Sequence, residues 1–358
     1  MLAGQIRPVS SRRHPSATPS GSAAPRGRAA LAIHGALTIH GRSGVLVLAL
    51  LAGVPPAAGC GGSNAGATGA PALLRDQAQQ AVMAYAAAVG QAGDRLDASL
   101  LPKAEADPQL TMDTAAVKLR RIVKARTGTL KLSHVRVAVP RQSAYPRWFA
   151  AEGVSGSGKD ALRHAMLFTQ AKAGAPWLLS ADPFPTDTAF SRVALDHDGY
   201  AEAVAPSASG LAIAPDRLAA AHAALLNGGP RAAGADRLAP GPKTTEAFTA
   251  LRHAEAGLRR NGITLESRFS PAPAPVHALR TRDGGALVWY VLKQNEAYSA
   301  TKKGKLTVTG DLVGLAPPSS VSTRMDTTVL IQYLATVPAH GGAGVTGMYR
   351  KAVAASGH

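Results

Sequence analysis

Apolar residues recur every three or four positions in five stretches of this chain, and that spacing is typical of amphipathic helices. The predicted helices cover residues 73–89, 94–102, 113–126, 216–226 and 245–260. Asp94 is placed to cap the second helix, and Pro215 and the pair Gly228-Gly229 bound the fourth. In the third helix, Ile122 and Val123 are expected to face the core.

Alternation of apolar and polar residues predicts strands after each group of helices. The first group of strands covers residues 134–139, 147–152, 160–169 and 177–179, and the second covers 263–269, 276–281, 286–292, 306–308 and 329–337. Asp283-Gly284-Gly285 is a strong hairpin-turn signal inside the second group. Because helices precede strands twice, the order favours an α+β fold over alternating βαβ units.

This repeated order divides the chain into two predicted domains. We expect a first α+β domain over residues 72–183, a junction over 184–210 and a second α+β domain over 211–358. Each domain would carry helices packed against one curved antiparallel sheet, which gives two tandem cone-like modules. The single cysteine of the sequence excludes a disulfide within either domain, so burial of apolar surface must supply the stability.

A different hydrophobic pattern precedes these domains. Residues 45–54 form an unbroken apolar run. A run of about ten residues is too short to cross a hydrocarbon core, which needs roughly 20, but it suits the h-region of a secretory signal. Six arginines and no acidic residue lie upstream. We therefore interpret residues 1–60 as an export signal with a disordered basic extension, and residues 61–71 as a flexible tether.

Cys60 follows the small residues Ala57, Ala58 and Gly59, directly after the apolar run. This arrangement resembles the bacterial lipobox, in which the cysteine sulfur receives a diacylglycerol and the cysteine becomes the first residue of the mature protein. The resemblance implies lipidation of Cys60 and anchoring on the outer face of the cytoplasmic membrane. The alternative is a free thiol beside an ordinary small-x-small cleavage site.

The charge of the chain narrows the class of partner. Lys and Arg number 39 against 22 Asp and Glu, for a net charge of +17, and the part after Cys60 keeps 33 basic residues and a net charge of +11. Aromatic residues make up only 4% of the sequence, which argues against a nucleic-acid partner. A basic anchored protein is instead attracted to the membrane surface, to a wall polymer or to another envelope protein.

Three motifs approach known chemistry without completing it. Residues 153–160 nearly spell a P-loop, but Asp160 stands where a Ser or Thr would hold magnesium, and a hairpin tip is expected instead. Ser299 and Lys302 have the Ser-x-x-Lys spacing of penicillin-recognising enzymes without the downstream motifs. Residues 196–199 begin like a calcium loop that lacks its twelfth-position carboxylate.

The remaining titratable residues predict no catalytic set, no cofactor and no metal site. The histidines lack metal-ligand spacing, and His164, His222, His253 and His277 are expected at half-exposed positions.

Two carboxylates could point into a cone. Glu266 and Glu296 are these candidates, although both suit solvent-facing positions as well or better. Strand alternation places Glu266 on the face opposite to Ile263 and Leu265.

Four aromatic residues are the best candidates for a pocket or contact face. These are Tyr145, Trp148, Trp289 and Tyr290. Core packing is the alternative role for each of them.

Two family resemblances bear on the fold and the location. Tandem modules of this kind look like the nuclear transport factor two-like (cystatin-like) cone fold. The mature chain also resembles a family of uncharacterised actinobacterial lipoproteins. The likeness lies in Val-Pro-Arg at 139–141, Tyr-Pro-Arg-Trp-Phe at 145–149, Leu-Arg-Thr-Arg-Asp-Gly-Gly-Ala-Leu-Val at 279–288 and Tyr-Leu-Ala-Thr-Val-Pro at 333–338. The second family implies no known activity.

Together these features favour a non-enzymatic, lipid-anchored envelope protein that binds a partner protein, a wall polymer or a small ligand. One alternative is the solute-binding lipoprotein of an importer, which would need alternating βαβ order. Another is a small cone-fold enzyme, for which a deep apolar cavity with one inward carboxylate would be the sign.

Overall fold

The first helices and strands form one layer of the molecule. We used a computed structural model, which describes residues 70–300, 306–307, 310–315, 320–321 and 323–357. Helix α1 spans Arg75–Arg95, a 3-10 helix spans Ala98–Lys103, and helix α2 spans Gln109–Val123. Asp97, and not Asp94, caps the 3-10 helix, because its carboxylate accepts the Ser99 N–H at 3.0 Å.

Helix α2 corrects a prediction of which face is buried. It begins four residues before the predicted start, and it buries Met112 and Val117. Ile122 and Val123 are exposed, so their predicted inward orientation is wrong. The helix ends at Val123, so both residues belong to its last turn.

The first sheet is antiparallel and buried on both faces. Its strands are β1 (Leu132–Ala138), β2 (Arg147–Ser155), β3 (Leu162–Gln170) and β4 (Leu178–Ala181), in that spatial order. One face packs Phe149, Met166 and Phe168 against α1. The other face packs residues such as Leu167 and Trp148 against the second sheet.

The second sheet has six strands and carries its own helices. Strand β5 spans Phe184–Pro185, and helices α3 (Pro215–Gly228) and α4 (Thr245–Arg260) follow it. The later strands are β6 (Ile263–Pro271), β7 (His277–Arg280), β8 (Ala286–Ala300), β9 (Leu306–Thr307), β10 (Ser320–Val321), β11 (Arg324–Val337) and β12 (Gly344–Gly357). The sheet order is β5-β12-β11-β8-β6 with β7 also on β8, while β9 and β10 pair separately.

Local signals explain several of these boundaries. Pro215 occupies the first turn of α3, where its missing N–H costs no hydrogen bond. The Asp283 carboxylate accepts the Thr281 hydroxyl and the Gly285 N–H in the turn between β7 and β8. A Cβ atom on Gly285 would lie 2.7 Å from the Val337 carbonyl oxygen, so only glycine fits there. The predicted hairpin turn is confirmed.

The fold class is α+β, as predicted, with two antiparallel sheets. Residues described by the structure belong to one compact unit, and the Trp289 indole N–H donates to the Ala165 carbonyl oxygen across the two sheets at 2.8 Å. The tandem cone-like architecture and the boundaries at 183 and 210 stay predictions. Among the described helices, none is long and apolar enough to cross a membrane.

Candidate functional site

A cavity of about 320 Å³ lies between α4 and the second sheet. Its walls are mainly apolar, as are those of a smaller cavity of about 160 Å³ elsewhere in the described residues. Its walls are built mainly from Leu226, Ala247, Ala250, Leu251, Ala254, Leu258, Leu265, Phe269, Ile331, Tyr333 and Met348. Small residues on α4 leave the space open, because alanine side chains do not reach across to the strands.

The helices over this cavity are fixed by a buried histidine. His222 on α3 is fully buried, and its Nε2 lies 2.8 Å from the Lys243 carbonyl oxygen. A carbonyl only accepts, so Nε2 carries the proton and Nδ1 accepts the Tyr290 hydroxyl at 2.9 Å. Burial lowers the pKa of His222 to about 4, opposed by its bond to the Lys243 carbonyl, so the ring is neutral.

A buried ion pair forms the polar end of the cavity. Arg350 on β12 contacts Glu296 on β8 with 2.9 Å between Nη2 and Oε1, and the side chains are 19% and 5% exposed. The second oxygen of Glu296 accepts the hydroxyls of Tyr298 and Thr327, each at 3.0 Å. Three donors thus occupy this carboxylate, which leaves it poorly placed to accept a proton from a ligand.

Strand β8 brings these polar groups inward by simple alternation. Gln294, Glu296 and Tyr298 are all buried, because alternate residues of a strand share one face. The expectation that Glu296 suits a solvent-facing position is therefore wrong. Glu266 is exposed, as its position in β6 predicts.

Cationic groups lie at the rim of the cavity. Lys243 lines it, and burial lowers the pKa of its ammonium group, against the opposing charge of Asp187. An open groove of about 710 Å³ shares Glu296 and Leu265 with the cavity and is lined by several arginines. These arginines are Arg252, Arg259, Arg268 and Arg324. Four carboxylates, Glu255, Glu266, Glu296 and Asp326, line the same groove, so the site combines an apolar interior with a polar approach of mixed charge.

The four predicted aromatic residues do not form one site. Tyr145 is 39% exposed, with the Arg147 guanidinium 4.7 Å from its ring centre. Trp148 is buried against His277, with ring centres 4.9 Å apart. Trp289 and Tyr290 are both buried and line a smaller cavity of about 160 Å³ between the sheets. A binding role for any of the four stays a prediction.

The near-miss motifs lie in turns and at a strand end. Residues 156–161 connect β2 to β3 as an exposed turn, and Asp196 accepts the N–H groups of Asp198 and Tyr200 in another. Ser299 is the last but one residue of β8, and Lys302 lies outside the described residues. Among described residues, no cluster of three or more His, Cys, Asp or Glu side chains could hold a metal ion.

The histidines correct another expectation. His253 is exposed and His277 is partly buried, but His164 and His222 are 5% and 0% exposed. The expected half-exposed positions of these two are therefore wrong. Lone histidines in a strand and a helix carry no spacing signal, so their partners appear only when the chain folds.

Comparisons with known proteins place the chain in a family. Residues 69–357 match the family model described as Domain of unknown function (DUF8094). The chain belongs to the DUF8094 family. Since the match spans nearly all of the predicted mature part, both sheets of this DUF8094 chain fall within it. Cys60 precedes the match and lies outside the described residues.

Two curated relatives agree with this assignment. An uncharacterized lipoprotein of Streptomyces avermitilis is 31% identical over 245 residues, which cover 66% of this chain and 71% of the relative. An uncharacterized lipoprotein of Streptomyces coelicolor is 26% identical over 240 residues, covering 65% and 70%. No solved structure matches the chain. The predicted kinship with uncharacterised actinobacterial lipoproteins is confirmed, and the nuclear transport factor two-like assignment stays a prediction.

Proposed function

We propose that this protein is anchored through Cys60 to the outer face of the cytoplasmic membrane and binds a small amphipathic ligand in the cavity under α4. The observation that carries the proposal is the apolar cavity of about 320 Å³ that ends at the buried Glu296–Arg350 pair. Such a volume is typical of the lower end of ligand sites, roughly 300 to 1,000 Å³.

The location is supported by the sequence and by the relatives. The apolar run, the small residues and Cys60 resemble a lipobox, and both Streptomyces relatives are named lipoproteins. Two acyl chains on one cysteine suffice for stable anchoring. The net charge of +11 after Cys60 adds attraction to anionic head groups.

The walls of the cavity indicate the chemistry of the ligand. An apolar body would contact Leu251, Leu265 and Phe269, where each buried apolar Å² stabilises the complex by roughly 25 cal/mol. A head group that accepts hydrogen bonds would face Arg350 and Lys243. A fatty acid or a lipid fragment of similar size has this combination.

Binding is favoured over turnover by the state of the one inward carboxylate. Glu296 is engaged by Arg350, Tyr298 and Thr327, whereas the cone-fold enzyme alternative needs a carboxylate free to move a proton. The importer alternative gains no support from two antiparallel sheets, because its fold class alternates strands and helices.

The experiment fills the cavity from α4. Ala254 lines the cavity and Ala256 is exposed on the same helix, so Ala254→Phe and Ala256→Phe add the same ring in two environments. Titration of the full chain in detergent with a fluorescent fatty acid should give a Kd at least tenfold higher for A254F, and an unchanged Kd for A256F. Equal binding by A254F and the parent chain would contradict the proposal.

A further inference from the structure

Three polar side chains of the first sheet form a continuous hydrogen-bonded chain, away from the cavity. The Ser155 Oγ lies 2.8 Å from the His164 Nε2, and the His164 Nδ1 lies 2.6 Å from the Asp182 Oδ2. The residues come from the end of β2, the middle of β3 and the segment after β4. No motif in the sequence indicated this grouping.

The register of the sheet explains why these residues meet. His164 pairs with Gly153, and Ser155 pairs with Leu162, so Ser155 and His164 are diagonal neighbours on one face. The Asp182 main-chain N–H donates to the fully buried Gln332 amide oxygen at 2.7 Å, which ties the main chain at Asp182 to β11.

The bonding pattern determines where the protons lie. The Asp182 carboxylate accepts, so the His164 Nδ1 carries a proton and Nε2 is left as the acceptor for the Ser155 hydroxyl. This is the tautomer that a general base needs to take the proton of a serine nucleophile. Burial lowers the pKa of His164, but the charge and hydrogen bond of Asp182 outweigh burial and raise the pKa above its ordinary value.

Ser155 is more exposed to solvent than His164 and Asp182. His164 and Asp182 are 5% and 4% exposed, whereas Ser155 is only partly buried, at the edge of an exposed turn. One oxygen of Asp182 is buried without a hydrogen-bond partner among described residues, and the other bonds to His164.

The residue that follows Ser155 is a glycine at the start of the turn. Gly156 has a φ of 71°, and a Cβ atom there would lie 2.4 Å from the Asp160 carbonyl oxygen, so the turn requires glycine. In hydrolases with a serine nucleophile, the N–H of the following residue contributes to the oxyanion hole. The Gly156 N–H occupies that sequence position.

We propose that Ser155, His164 and Asp182 form a nucleophilic site that hydrolyses carboxylic esters. Ser155 and His164 are the catalytic residues, and Asp182 positions the imidazole. The Ser155 Oγ would bond to the ester carbonyl carbon while its proton passes to His164 Nε2. The C–O bond to the alcohol then breaks, and the alcohol leaves with that proton. Water, deprotonated by His164, then attacks the acyl carbon, the bond from that carbon to the Ser155 Oγ breaks, and His164 returns the proton to Oγ as the carboxylic acid leaves.

This activity goes beyond the proposed ligand binding, and a test of one leaves the other standing. The full chain in detergent would be treated with a fluorophosphonate probe, in which a Ser155 Oγ–P bond replaces the P–F bond and fluoride leaves. Peptide mass mapping should find the adduct on Ser155. Ser155→Ala should remove it, and Ser157→Ala, a change at an exposed serine of the same turn, should keep it.

Further variants distinguish catalysis from simple exposure of a serine. His164→Gln should slow labelling at least a hundredfold while thermal unfolding stays cooperative. Asp182→Asn should lower the maximal labelling rate and leave the half-saturating probe concentration unchanged, which a purely structural role would not do.

Three outcomes would overturn the proposal. These are the absence of an adduct on Ser155 when a known serine esterase is labelled in parallel, labelling at the same rate in H164Q, and loss of labelling in S157A. A positive result would also refute the expectation, drawn from motifs, that the chain has no catalytic set.

Discussion

Glu105 is a buried carboxyl whose ionisation departs far from its ordinary behaviour. Its side chain is 1% exposed, and burial, followed by the nearby charge of Asp113, raises the pKa of its carboxyl to about 10. The group is therefore protonated at neutral pH in the folded protein but ionised in the unfolded chain.

Because the pKa of Glu105 is raised in the folded protein, its ionisation makes the protein less stable as the pH rises. The free energy of unfolding is highest, as far as Glu105 is concerned, below the unfolded pKa of 4.5, where the carboxyl is protonated in both states. That stability is lost as the pH rises toward the folded pKa of about 10. Glu105→Gln has no carboxyl to titrate and so does not lose this stability. Its free energy of unfolding, relative to that of the parent chain, should therefore rise by about 1–4 kcal/mol from pH 5 to pH 8. Urea unfolding of the variant and the parent chain at both pH values measures this difference. A constant difference would contradict the prediction, and the exposed variant Glu266→Gln serves as control.

Burial of His222 should make the protein less stable as the pH falls, which is the opposite trend. Its pKa is lowered to about 4 by burial, so its contribution is present above the unfolded pKa of 6.5 and is lost as pH falls through 4. His222→Gln should destabilise the protein at pH 7 and by about 1–3 kcal/mol less at pH 4.5. Chemical unfolding of both chains at the two pH values tests this. A penalty that grows at low pH would refute it.

At the scale of elements, the long strands β8 and β12 build the polar end of the cavity. Arg350→Met leaves the Glu296 carboxylate buried without its cation, which should cost about 3–5 kcal/mol in the free energy of unfolding. Adding Glu296→Gln should recover part of that loss, because the uncompensated charge is removed. Urea unfolding of both single variants and the double variant gives the interaction free energy between Arg350 and Glu296. Strict additivity would show that the pair does not interact.

The helices and most strands could be predicted because their hydrophobic periods are clear. The bounds of α4 agree with the predicted helix, as does the glycine turn before β8. Strand β12 was not predicted, because its alanine and glycine residues give no regular alternation. It forms because β11 pairs with it along almost its whole length. Strand β5, inside the predicted junction, likewise depends on pairing with β12.

The candidate site was only partly visible in the sequence. The second half of β8 is polar, so its strand was not predicted beyond residue 292, although Gln294, Glu296 and Tyr298 have the period of two that a strand requires. That spacing is the signal that could have revealed the inward carboxylate. The Ser155–His164–Asp182 chain depends on the register of three strands, which local pattern does not determine.

The whole molecule would combine a lipid anchor at Cys60 with a ligand cavity at the second sheet. The anchor is a proposal from residues 45–60, and the cavity is a feature of the described fold. An anchored binding protein holds its site within a short tether of the membrane, where amphipathic molecules concentrate. The basic surface of the mature part supports the same placement.

Native mass spectrometry of the protein extracted from membranes can detect the lipid on Cys60 and a ligand in the cavity in the same spectrum. We predict a chain that begins at Cys60 and carries the covalent mass of a diacylglycerol. We also predict a non-covalent ligand that is lost in A254F and retained in A256F. A chain recovered from the soluble fraction with an unmodified cysteine, or an anchored chain whose cavity carries no ligand in any variant, would contradict the account.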